Sequence, residues 1–198
     1  MGASQATGPT RAETTAHVLG TGRWRVLADR SRIGFRVKKM GVYYVKGRFR
    51  GVDGELGPDG HGEVVVDAGS ISTRIAPRDW HLRSRDFLDV RRHPKLRASV
   101  ESVEPAGDGG IAAAVVLNLH GERAPVELRG HLHHLPEPDG NGDARLLVHL
   151  EGKLDRHQFG IRARPPVEWI VGREVLLDVE LGLERIPRED PAGEAPPS

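Results

Sequence analysis

From Val175 to Glu184 the chain alternates: Val175, Leu177, Val179, Leu181 and Leu183 fall in one register, and Asp178, Glu180 and Glu184 in the other. Successive side chains of a strand point to opposite faces, so this period of two predicts a strand with one dry face and one wet face. A dry face must be covered, and the rest of the sequence says with what. The same period returns in Ile33, Phe35 and Val37, set against Arg32, Arg36 and Lys38. It returns in Val45, Gly47, Phe49 and Gly51, against Lys46, Arg48 and Arg50. Val126, Leu128 and Leu132 alternate with Glu127, Arg129 and His131, and Leu146, Val148, Leu150 and Leu154 with His149, Glu151, Lys153 and Asp155. Weaker strands fit 62–67 (Val64, Val66), 96–103 and 111–120 (Val115, Leu117). Eight strands are expected.

Turn-forming runs separate them: Gly57-Pro58-Asp59-Gly60, Gly107-Asp108-Gly109-Gly110, and Pro138 to Asp143. Connections of hairpin length make neighbouring strands antiparallel. Eight such strands either stack as a sandwich or close as a barrel. Closure removes exposed edges, and glycines inside strands (Gly47, Gly51, Gly130, Gly152) suit barrel corners. The segment Ala76 to Phe87 breaks the period and is too polar for a core strand; with Pro77 in a first helical turn it reads as a short helical lid with loops. The fold class expected is therefore all-β, an eight-stranded antiparallel barrel with a short helical lid region. Residues 22–186 form the domain, with flexible tails at 1–21 and 187–198.

Composition narrows function more than fold. With no cysteine there is no disulfide framework, thiolate nucleophile or Cys-based zinc site. Arginine supplies 24 of the 29 cations, yet 28 acids are interleaved with them and nine aromatics are all that could stack on bases, so no nucleic-acid partner is expected. No run of 18 apolar residues could span a membrane, and the polar start lacks the pattern of a signal peptide, which predicts a cytoplasmic protein with a periplasmic or secreted one left open.

Candidate chemistry is sparse. His131 and His133 share a strand face, but the wet one, and no metal is expected there. Asp139-Gly140-Asn141-Gly142-Asp143 opens like a calcium loop and then fails, because Ala144 stands at the glycine position and Leu150 at the bidentate glutamate position. Asp79, His81 and Ser84 resemble a triad only on paper, since residues two apart on a helix diverge. No catalytic residue is assigned, and an enzyme built on Asp79 and His81 stands as the minor alternative. What remains is the dry face, lined by Val, Leu, Ala and Gly. An eight-stranded barrel either fills its axis with its own side chains or holds one ligand. On the second reading Phe35, Val37, Val45, Phe49, Val64, Val66, Phe87, Val115, Leu117, Val126, Leu128, Leu146, Val148, Val175, Leu177 and Val179 line the lumen.

A chain of motifs then resembles the YceI-like family of polyisoprenoid-binding proteins. It begins at Trp24, Asp29, Ser31, Ile33 and Phe35, and continues through Gly47-Arg48-Phe49, Gly54 and Ile71-Ser72-Thr73. Arg78 to Ser84 and Asp86-Phe87-Leu88-Asp89 follow, then Pro94, Leu119-His120-Gly121, Val126-Glu127-Leu128 and Leu154 to Gly160. Coverage is about residues 22 to 186. The pair of segments around Asp79-Trp80-His81-Leu82 and Asp155-Arg156-His157-Gln158-Phe159-Gly160 is the most specific; Trp80 and the basic run Arg91-Arg92-His93 are unusual. The resemblance implies a lipocalin-like barrel, an apolar lumen taking a polyisoprenoid, quinone or precursor, no other cofactor, and a homodimer as an option. A fatty acid, amide or other amphiphile is the alternative ligand. Arg78, Asp79, His81, Leu82, Asp155, Arg156, Phe159 and Gly160 are expected to be structural, with Asp155 and Arg156 meeting Arg78, Asp79 and His81 across the lid.

Overall fold

The computed structural model describes Leu19 and residues 22–135, 144–162, 165 and 167–187. Among these are nine strands: β1 (Arg23–Lys39), β2 (Tyr43–Phe49), β3 (Val52–Leu56), β4 (Gly62–Asp67), β5 (Lys95–Pro105), β6 (Ile111–Leu119), β7 (Glu122–Leu135), β8 (Arg145–Asp155) and β9 (Val171–Ile186). Each pairs antiparallel with its neighbours, and β9 returns to pair with β1, which closes the sheet.

Nine strands make eight staves. The long β1 offers one edge to β9 along most of its length, and its other edge is shared end to end by β2 (Phe35 opposite Gly47) and β3 (Trp24 opposite Leu56). The break falls at Arg50-Gly51, where Gly51 takes a left-handed φ of 65° that a side chain would strain. The sequence alternation runs on through Gly51, past the end of β2 at Phe49, and does not reveal β3. Its wet-dry pattern spans five residues, Val52 and Leu56 buried and Asp53 and Glu55 exposed.

Above the break, β2 has no strand on its far edge among the described residues. Ser72 fills the place, exchanging backbone hydrogen bonds with Arg48 at 3.0 and 2.9 Å. Ser72 belongs to the crossover between β4 and β5, which also carries a 3₁₀ turn (Ala68–Ser70) and the helix α1 (Ala76–Arg83) with Pro77 in its first turn. Arg83 ties α1 back to the turn through the carbonyls of Gly69 (2.8 Å) and Ile71 (2.6 Å). The second helix, α2 (Val167–Ile170), lies between β8 and β9.

Because the strands alternate in direction, both connections that carry helices leave at one end. The β1–β2 hairpin, the 68–94 crossover, the β6–β7 hairpin and the 156–170 segment are together there. At the other end Leu19, assigned to the tail by its polar surroundings, is 4% exposed and accepts a hydrogen bond from Trp24 Nε1 at 3.1 Å. The outer face carries cross-strand ion pairs, among them Arg32–Glu180, Arg97–Glu63 and Arg145–Glu184. Each adds little to stability where exposed, but together they place arginines opposite acids.

Candidate functional site

The inward faces enclose a cavity of about 590 Å³, within the range of roughly 300–1,000 Å³ that holds small molecules. Its wall follows the registers. Val37, Phe35 and Ile33 of β1 stand opposite Val175, Leu177 and Val179 of β9, and Val179 and Val175 in turn face Leu150 and Leu154 of β8. Around the rest of the barrel the wall continues through Val45, Phe49, Val64, Val66, Val115, Leu117, Val126, Leu128 and Val148, with Phe87 from the crossover. All the residues expected to line the lumen border this space except Leu146. That side chain is fully buried opposite Leu183, which does border the space, so Leu146 belongs to the packed core and not to the cavity wall.

The space exists because the wall is made of short side chains. Ala98, Ala113 and the many valines stop well short of the axis, and interiors collapse onto such gaps only when the backbone can move. The closed ladder of hydrogen bonds holds it in place. Gly47 has a different task from the corner expected of it. A Cβ there would lie 2.3 Å from Cζ of Phe35, so the missing side chain gives the ring its seat, 5.7 Å from the ring of Phe49.

Further wall residues come from places where the alternation was weak or absent: Leu19, Ile71, Ile161, and Val167, Ile170 and Val171 from the loop around α2. Ile111 and Ala113 could have been found, since they continue the parity of Val115 and Leu117. The loop residues carry no period to find.

Four polar side chains border the cavity: Lys39, Arg78, His81 and Arg156. All lie at the end that carries the two helices, and among the described residues none that borders the cavity is an acid. Thr73 organises the first pair. Its backbone N–H (2.7 Å) and its hydroxyl both donate to Asp79 Oδ1, while the same hydroxyl accepts from Arg78 Nε at 2.7 Å and its carbonyl accepts from Arg78 at 3.1 Å. Burial pushes the Asp79 carboxyl up, but the hydrogen bonds from Thr73, with Ser72 and the charge of Arg83, outweigh it and hold the group below the usual aspartate range. His81 sets its ring edge-on against Phe87 at 5.0 Å, and the hydroxyl of Ser84 donates to the His81 carbonyl. Asp79, His81 and Ser84 thus turn to three different partners, and among the described residues no hydrogen bond links their side chains.

The second motif forms its own knot. Asp155 accepts from the His157 N–H at 2.9 Å and from Arg173 at 2.8 Å, which together keep its carboxyl low against the cost of burial. Arg156, 4% exposed, donates to the carbonyls of Gly172, Ile161 and Val171 and to Glu168. Phe159 is fully buried and Gly160, at φ 66°, ends the 3₁₀ turn Arg156–Phe159. The expected meeting of Asp155 and Arg156 with Arg78, Asp79 and His81 does not occur. The two motifs close opposite sides of the same mouth, and each satisfies its charges locally, because a buried guanidinium needs acceptors within reach and the neighbouring carbonyls are nearest.

On the outer face His149, Asp178 and Glu180 bring ligand atoms within 4.8 Å of one another, and His131 stands opposite His149. The carboxylates are already engaged, Asp178 with His149 at 2.9 Å and Glu180 with Arg32 at 2.5 Å. The Asp139–Asp143 turn lies outside the described residues.

A closed antiparallel barrel with an apolar cavity defines a lipocalin-like architecture. The YceI-like domain profile matches residues 24–183, and the chain belongs to that family. Among its relatives, a UPF0312 protein of Vibrio vulnificus is 32% identical and one of Vibrio cholerae 29%, each over 160 residues that cover 78% of this chain and 80% of the relative. Solved structures share the fold. BcnA of Burkholderia cenocepacia has a TM-score of 0.65 at 16% identity, covering 79% of this chain and 98% of its own. A polyisoprenoid binding domain from Saccharophagus degradans, implicated in plant cell wall breakdown, scores 0.63 at 15% identity, covering 82% and 98%.

Proposed function

We propose that the cavity holds a long apolar chain of isoprenoid type, such as a polyisoprenoid, a quinone or a precursor, and that the protein is a carrier and not an enzyme. The observation that carries this reading is the wall itself: about 590 Å³ bounded by aliphatic side chains, with the polar groups that touch it gathered at one end. Affinity comes from burial, roughly 0.8 kcal/mol for each CH₂ removed from water before the cost of ordering the chain. The family and the Saccharophagus degradans domain support the isoprenoid class. Lys39, Arg78 and His81 at the mouth suit a polar end that accepts hydrogen bonds or carries negative charge. That feature equally favours the second reading, a fatty acid or similar amphiphile in the same barrel.

The test is mass spectrometry of the organic extract of purified protein, wild type beside Ala113→Phe. Ala113 is buried on the wall, so a phenyl ring there enters space that is empty. Wild type should carry, or take up on addition, an isoprenoid-type chain. Ala113→Phe should lose it while melting no lower than the ligand-free wild type. A fatty acid in the extract selects the second reading. A wild-type protein that neither carries nor takes up any apolar chain overturns both.

A further inference from the structure

Isolated exposed apolar residues are ordinary on a protein surface, but clustering is not. Among the described residues, the large hydrophobics that stand exposed all lie on segments at the lidded end. Met40, Val42, Tyr43 and Tyr44 form the tip of the β1–β2 hairpin, Ile75 and Trp80 lie at α1, and Trp169 lies on α2. The hairpin and α2 are joined, since the Met40 N–H donates to the Ile170 carbonyl at 2.7 Å. Trp80 and Trp169 are 75% and 79% exposed, whereas Trp24 at the far end is 3% exposed.

Charge is distributed to match. Residues 36–50 contain six cations and no acid, and residues 68–95 contain seven cations against three acids, in a chain whose net charge is +1. Two of those three acids, Asp79 and Asp89, are buried. Lys38 Nζ stands 5.8 Å above the ring of Tyr44. Tryptophan and tyrosine beside lysine and arginine is the combination that settles at the boundary between headgroups and acyl chains. A second copy of the chain suits this face poorly, because a self-complementary contact would set one cationic hairpin against another.

We propose that this end of the barrel docks on an anionic lipid bilayer, with the hairpin tip, Trp80 and Trp169 at the headgroup level. Lys39, Val45 and Ile170 border both the cavity and this rim, so docking would set the mouth against the lipid. The proposal goes beyond the identity of the cavity's occupant and does not depend on it.

The experiment uses the full chain and vesicles made of equal parts phosphatidylglycerol and phosphatidylcholine, with pure phosphatidylcholine for comparison. The protein should sediment with the anionic vesicles at least tenfold better than with the neutral ones, and less as salt is raised. Lipid brominated on its acyl chains should quench the tryptophan emission. The double variant Trp80→Glu/Trp169→Glu, altered at two solvent-exposed positions, should lose this binding tenfold or more. Lys38→Glu/Lys46→Glu should lose it by a similar factor, about fivefold or more for each reversed charge. Ala113→Phe should keep vesicle binding even where it loses the cavity ligand, so the two readings fail separately. Equal sedimentation with both vesicle types, or no change in the variants, overturns the proposal. So does a dimer in sedimentation velocity that the tryptophan variant abolishes, without vesicle binding by the wild type.

Discussion

Arg156 and Glu168 meet at 2.9 Å across the segment that closes one side of the barrel mouth, and Arg156 gives three further donors to the carbonyls of Ile161, Val171 and Gly172. One buried guanidinium thus fixes both ends of the chain between β8 and β9. Glu168 is shared with His157, whose Nε2 lies 2.6 Å from the other carboxylate oxygen.

Replacing Arg156 with Ala should cost about 3 kcal/mol, since it orphans several carbonyls and leaves Glu168 partly uncompensated. Arg156→Lys should not restore the loss, because a single ammonium cannot serve four acceptors arranged around a planar fork. Thermal melts of the three proteins read this directly. Hydrogen exchange should show faster opening of Ile161 and residues 167–172 in both variants and little change at α1, since the two motifs do not touch.

Parity on β9 gives the second test. Val179 is 6% exposed on the cavity wall between Ile33 and Leu150, and the next side chain, Glu180, pairs with Arg32 outside. Val179→Arg buries a charge in an apolar space at a cost of several kcal/mol. Glu180→Arg exchanges an exposed ion pair for a like-charged contact, at about 1 kcal/mol or less. Melting temperature and ligand co-purification should both fall for the first and stay near wild type for the second. Equal effects would place this strand's dry face elsewhere.

The lid's dependence on pH follows from Asp79. Its folded pKa is depressed, so its hydrogen bonds from Thr73 stabilise fully above the ordinary aspartate range, about 3.9, and the contribution fades as pH falls through the lower folded value. Wild type should therefore outmelt Asp79→Asn at pH 7, and the gap should narrow below about pH 4. Asp155 and Glu184 are lowered too and remain in both proteins, so the difference between the two melts isolates Asp79. A gap that does not change with pH would mean that Asp79 acts through packing alone.

The alternation of Val175 to Glu184 and its repeats determined every strand but β3 and their dry faces, because a strand's side-chain direction is a local property that every second residue reports, and the short turn-forming runs between them determined the antiparallel order. It also determined which aliphatic residues face inward, Leu146 included. Whether that inward face is a core or a cavity was not local. Leu146 is packed away from the space while its partner Leu183, with Ala113 and Val179, borders it, and the difference is set by which side chains the fold brings against each one. The break at Gly51 depended on which strand took the far edge of β1, a long-range pairing that no window of sequence contains. The partners of Asp79 and Arg156 were decided by tertiary structure as well. Charges in two specific motifs invited pairing across the mouth. In the fold each lies beside hydroxyls and carbonyls of its own loop, and a buried charge takes the acceptors and donors the backbone brings within 3 Å.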